Sequence, residues 1–230
     1  MIRSALSLLL ASALLGWCAP AMAGPPPASA LNPYPADRLL PFWRQYTARY
    51  EDGEAAFTPV YRLDPAPAEA ADRSGFWLEA PDARLLAVGV DAGGYLVLPP
   101  EAHTAGSVTR ATRLLHDGDN PLPAIRLEFH TPASGTRYSI SDMAALVREL
   151  DQLQRASMGL AALMAPRFDV IVFRFDGPAP DGWHVTARGE RRALGALHDT
   201  LYLRMTGRIA RLGGEIVLEA PPERIVVETR

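Results

Sequence analysis

Lysine is missing from this sequence: all 23 of its basic side chains are arginine. That absence removes Schiff-base chemistry on a lysine amine, pyridoxal-phosphate attachment and the lysine of a phosphate-binding loop. Cysteine occurs once, at Cys18. Beyond residue 23 there is no thiol, so no disulfide, thiolate nucleophile or thiolate metal ligand is available there. Only two asparagines are present, Asn32 and Asn120, so amide-rich sugar readout is sparse. A net charge of −3 provides no concentrated basic face, which argues against nucleic acid as the main partner. The histidines His103, His116, His130, His184 and His198 form neither H-x-H nor H-E-x-x-H spacing, and no G-x-S-x-G occurs. No cofactor and no metal site are expected.

Arg3, an apolar run from Ala5 to Leu15 and the small residues Ala21 and Ala23 read as a secretory signal peptide over 1–23, cleaved after Ala23. The run is too short to span a bilayer, and no later stretch reaches the roughly 18 apolar residues a membrane helix needs. The expected location is the periplasm or the exterior. Leu15, three residues before Cys18, also suits a lipoprotein signal, although Trp17 stands where such signals want a small residue. Residues 24–37, "GPPPASALNPYPAD", read as a proline-rich flexible tether.

The remaining pattern predicts an α+β chain, mainly β: an antiparallel β-sandwich or open sheets, with one long amphipathic helix and a short N-terminal helix. Leu39, Trp43, Tyr46 and Tyr50 fall at helical spacing. The long helix, about 141–164, carries Met143, Leu146, Val147, Leu150 and Leu153 on one face, with Pro166 to stop it and Gly159 as a weak point that marks either a bend or close packing. Period-two alternation marks strands in "AFTPVYRL", "FWLEA", "ARLLAVGV", "YLVLPP", "AIRLEFH", "FDVIVFRF", "WHVTARG", "TLYLRMT", "EIVLEA" and "RIVVET". The globular region is 38–230, divisible into subdomains 55–140 and 166–230 joined by helix 141–164.

Over 88–99, "VGVDAGGYLVLP" places Asp91, Gly94, Leu96 and Leu98 in a layout that resembles carboxypeptidase regulatory-like, transthyretin-like β-sandwich modules. Val90 stands where that family usually has threonine, and the long helix lies outside its plan. The resemblance implies a β-sandwich and a non-catalytic folding or binding role.

Two groups of residues are candidate partner or anion contacts. Trp43 and Tyr46 either dock the short helix onto the body or face a partner. Arg188, Arg191 and Arg192, with Arg204, Arg208 and Arg211 further on, either receive phosphate or carboxylate groups or line a solvated strand face. "HDGDN", 116–120, reads as a tight turn with a calcium-loop alternative, and Asp176 and Asp181 as turn residues or a carboxylate pair. His130 and His184 lie on predicted strands that could meet. These observations favour a secreted or periplasmic non-catalytic binding module with an envelope protein, glycan or lipid as partner. An envelope hydrolase using Asp/Glu pairs, and a lipid binder with the helix stripe over an apolar cavity, are the alternatives.

Overall fold

The computed structural model describes residues 31–50, 55–64, 75–104, 106–117 and 124–229. The expected signal with Cys18, residues 24–30 of the expected tether and most of the acidic turn after His116 lie outside them. In chain order, β1 (Asn32–Pro35) leads into the short helices α1 (Ala36–Leu39) and α2 (Trp43–Arg49). Seven strands follow: β2 (Thr58–Asp64), β3 (Phe76–Glu79), β4 (Leu85–Val90), β5 (Leu96–Val97), β6 (Arg113–His116), β7 (Ala124–Thr131) and β8 (Arg137–Ser139). After the long helix α3 (Ile140–Met158) come β9 (Phe168–Arg174), β10 (Gly182–Val185), β11 (Arg191–Ala193), β12 (Gly195–Leu197) and β13 (Thr200–Arg204). Helix α4 (Gly207–Leu212) precedes β14 (Glu215–Leu218) and β15 (Arg224–Thr229).

The fold is α+β and mainly β. Its strands form a five-stranded sheet β1-β6-β3-β4-β5, a four-stranded sheet β11-β10-β14-β8 and a six-stranded sheet β12-β13-β9-β15-β7-β2. All named pairings are antiparallel. The six-stranded sheet takes β2 and β7 from before α3 and four strands from after it, so 55–140 and 166–230 are not separate subdomains. Pairing of Val226 with His130 and of Val227 with Phe129 joins the two regions at the sheet centre. Among the described residues, no helix is long and apolar enough to cross a membrane.

Three expected boundaries move. The C-terminal part of the expected tether is ordered structure: β1 pairs with β6, and the Ala36 N–H donates to the Thr112 carbonyl at 3.0 Å. Pro33 and Pro35 fit because β1 is an edge strand, where a missing N–H leaves no ladder bond unmade. The N-terminal helix is two pieces, because Phe42, just after Pro41, adopts φ 71° and breaks the helical path. Helix α3 starts on a Ser139 cap, whose Oγ accepts from the Ser141 N–H at 3.1 Å. It ends at Gly159 (φ 57°), after which Gly159–Leu163 is a 3-10 turn rather than continued α-helix.

One continuous core joins these elements. Alternate residues of the six-stranded sheet, including Tyr61, Leu63, Phe129, Ile171, Phe173, Leu201, Ile225 and Val227, point inward and are buried. Phe42 packs edge-on against Phe129 (5.8 Å) and Phe168 (6.3 Å), which seats α2 on that face. Met143, Leu146, Leu150 and Leu153 of α3 are buried in the same core rather than over an apolar cavity. Trp43 and Tyr46 are buried too, at 1% and 8% exposure. The Trp43 Nε1–H donates to the Ala102 carbonyl at 2.9 Å, and its ring meets Tyr61 at 6.0 Å. Both rings dock the helix onto the body.

Candidate functional site

The site grows from the turn between β4 and β5. Asp91 Oδ1 accepts from the N–H groups of Gly93 (2.8 Å) and Tyr95 (2.9 Å), and Gly94 takes φ 80°. The aspartate's local bonds and the glycine's freedom close this turn. It sets the hairpin against the edge of β2, where the Leu63 N–H donates to the Gly94 carbonyl at 2.9 Å and Arg62 pairs with Tyr95 in a single bridge. Beyond the bridge the two strands part. Thr58–Tyr61 form one wall and Leu96–Leu98 the other wall of an open cleft of about 460 Å³, which Trp43, His103, His130 and Arg224 also line.

At the bridge end, a polar cluster is sealed under the hairpin. Glu128 points from β7 to the outer sheet face, yet is only 2% exposed because Tyr95 lies over it. Its Oε2 accepts from the Tyr95 hydroxyl (3.0 Å) and from His130 Nε2 (2.9 Å). The Tyr95 oxygen in turn accepts from Arg224 Nη1 at 2.8 Å. Arg174 donates to Glu228 at 2.8 Å and stands 3.8 Å from Glu128 Oε1, which has no hydrogen-bond partner among the described residues. The Arg62 and Arg224 guanidinium groups lie 5.8 and 5.3 Å from the Tyr95 ring centre.

Burial pushes the Glu128 carboxyl up, but the bonds from His130 and Tyr95 and the charge of Arg174 outweigh it, and the net shift is downward. Burial and the neighbouring Glu128 charge raise the Tyr95 phenol. A general acid needs a carboxyl held up toward neutral pH, and Glu128 is shifted the other way. Thr58 lies opposite His130 in register, but among the described residues the His130 ring hydrogen-bonds to Glu128 alone. The arrangement pins Tyr95, and with it one wall of the cleft, onto the sheet.

The downward shift sets a pH dependence. The unfolded Glu128 carboxyl takes up its proton near pH 4.3, before the folded one does. The stability it contributes is therefore complete above that value and is lost as pH falls through the lower folded value. Urea denaturation at a series of pH values should show a shallower acid limb for Glu128→Gln than for the parent. Parallel limbs would show that the carboxylate contributes no differential stability.

The residues singled out by sequence do not converge here. Arg188, Arg191 and Arg192 lie on the exposed β10–β11 hairpin. Arg191 stacks on Trp183 at 4.2 Å and Arg192 pairs with Glu190 at 2.9 Å, so two of the three are engaged locally. Arg204 pairs with Asp169 at 2.8 Å. His184 is buried in the four-stranded sheet and bonded to the Gly213 carbonyl at 2.8 Å, whereas His130 is in the six-stranded one; the two do not meet. Asp176 and Asp181 are exposed between β9 and β10. Among the described residues no group of three or more His, Cys, Asp or Glu side chains is placed to hold a metal ion. Sequence reasoning missed Tyr95, Arg174 and Arg224; the one trace was a charged residue inside the otherwise apolar "VIVFRF".

Set against known proteins, the chain is matched by no protein-family model, no curated protein and no solved structure.

Proposed function

We propose that this chain is an exported, non-catalytic binding module whose cleft receives an extended peptide segment of an envelope partner by strand addition. The observation that carries the reading is the construction of the cleft. Strand β2 ends the six-stranded sheet, β5 ends the five-stranded sheet, and one bridge joins them. An opening between two strand edges offers backbone groups on both walls to an extended chain, and pockets for its alternate side chains. Val97, 55% exposed, and the half-buried Val60 give those pockets an apolar lining. The sealed Tyr95–Glu128–Arg224 cluster keeps the opening rigid, so little ordering is required on binding. Pro59 in the β2 wall supports an edge that is not meant to pair indiscriminately.

A random peptide library displayed on phage is the test. Selected peptides should alternate apolar and polar residues, slow amide exchange among residues 58, 60, 61 and 96–98, and lose about tenfold or more in affinity with Val97→Arg, whose thermal midpoint should match the parent. Peptides that bind Val97→Arg as tightly as the parent, or that protect other amides, overturn the reading.

A further inference from the structure

Away from the cleft, the C-terminal end of α3 carries a different feature. Once Gly159 ends the helix, the turn that follows holds Leu160, Leu163 and Met164 at 86%, 78% and 90% exposure, beside Met158 at 40%. Four large apolar side chains projecting from one turn form a patch that water alone does not favour. Two arginines flank it in sequence and two line the cavity beside it. Arg155 and Arg167 flank the turn in sequence and are exposed. A cavity of about 580 Å³ reaches the turn at Ser157 and Met158, and Arg44, Arg110 and Gln45 line it, with Asp37 as its one acid. Arg44 Nε and Ser157 Oγ are buried there without a hydrogen-bond partner among the described residues. Among those residues, none of the guanidinium groups of Arg44, Arg110, Arg155 and Arg167 makes an ion pair.

We infer that this end of the molecule docks on an anionic phospholipid surface: the apolar turn 158–164 enters the interface and the Arg44–Arg110 cavity takes a lipid phosphate. The two halves have the chemistry of the two layers they would meet. An apolar tip gains by leaving water at the depth of the acyl boundary, while arginines at the rim gain from headgroup phosphates and from the negative surface potential. The orphan Arg44 Nε and Ser157 Oγ are donors that a phosphate oxygen in the cavity satisfies. Nothing in this inference depends on peptide binding in the cleft.

The test uses the full chain throughout, so that every variant shares the same N-terminal segment. Cosedimentation is measured with vesicles of equal parts phosphatidylglycerol and phosphatidylcholine, and with phosphatidylcholine alone. Arg44→Gln with Arg110→Gln should lower partitioning onto the anionic vesicles about tenfold to thirtyfold and change that onto phosphatidylcholine little. The triple variant Leu160→Ser, Leu163→Ser, Met164→Ser should lower it by about tenfold or more, with an unchanged thermal midpoint. A nitroxide on Leu163→Cys in a Cys18→Ser background should become accessible to oxygen and shielded from a water-soluble nickel complex when anionic vesicles are added. Partitioning that survives both sets of substitutions, a label that stays in water on the vesicles, or a label buried in a dimer without lipid would each overturn the inference.

Discussion

Trp43→Ala is expected to lower the free energy of unfolding by about 3–5 kcal/mol, the range for deleting a large aromatic from a well-packed core. Trp43 is 1% exposed at the point where α2, the six-stranded sheet and the segment after β5 meet. Its ring packs on Tyr46 (5.7 Å), Tyr61 (6.0 Å) and His103 (4.8 Å), three residues from three stretches of chain, so the surroundings cannot collapse into the space without moving several elements. The same substitution leaves the Ala102 carbonyl without its donor. For a chain of this size, a loss of this magnitude corresponds to a fall in thermal midpoint of about 10 °C. Trp43→Phe is the intermediate case: it keeps a six-membered aromatic ring, removes the N–H donor and leaves a smaller void, for a loss of about 1–3 kcal/mol. A Trp43→Ala protein within about 1 kcal/mol of the parent would mean that α2 does not hold the sheets together.

Gly214→Ala should destabilise by a comparable amount, about 3 kcal/mol or more, through backbone rather than packing. Gly214 has φ 90°, and a Cβ there would fall 2.0 Å from the Val185 carbonyl oxygen, 2.7 Å from the Thr186 carbonyl carbon and 2.8 Å from the Ala187 nitrogen. All three are main-chain atoms, so no side chain can swing aside. The Gly214 carbonyl also accepts from the Ile140 N–H at 3.0 Å, so displacing it disturbs the first turn of α3. Gly135 is the internal comparison: its φ is 83°, yet a Cβ there meets nothing within 4 Å. Gly135→Ala should therefore show the conformational term alone, about 1–2 kcal/mol. Equal losses at the two glycines, by denaturant titration, would refute the clash.

Much of the β framework was legible because alternation and burial agree. In "AIRLEFH" the apolar side is the inward side, and Phe129 ends fully buried. The stretches quoted for β9, β13, β14 and β15 likewise contain the observed strands. The strands that were missed, β1, β6, β8, β11 and β12, have four residues or fewer, too short for a period to declare itself. Gly159 was recognised as a weak point in the long helix, but whether a glycine bends or terminates a helix depends on the φ it adopts. The candidate site was illegible for another reason. Glu128 sits on the polar side of its strand and reads as solvated; it is buried under Tyr95, 33 positions away, whose hydroxyl is held in turn by Arg224, 129 positions from Tyr95. No local pattern encodes that encounter. Trp43 and Tyr46 illustrate the converse: an aromatic stripe at helical spacing turned out to be core.

The position of β15 has a kinetic consequence. The segment 224–229 lies between β9 and β7, at the middle of the six-stranded sheet. Until those residues leave the ribosome, β7 and β9 each lack a neighbour on one edge, and the ladder joining the earlier and later parts of the chain does not exist. Assembly must then close loops of about a hundred residues, the long-range search that makes β-rich topologies slow. Until then the nascent chain presents sticky strand edges on β7 and β9, and depends on whatever shields those edges in the meantime.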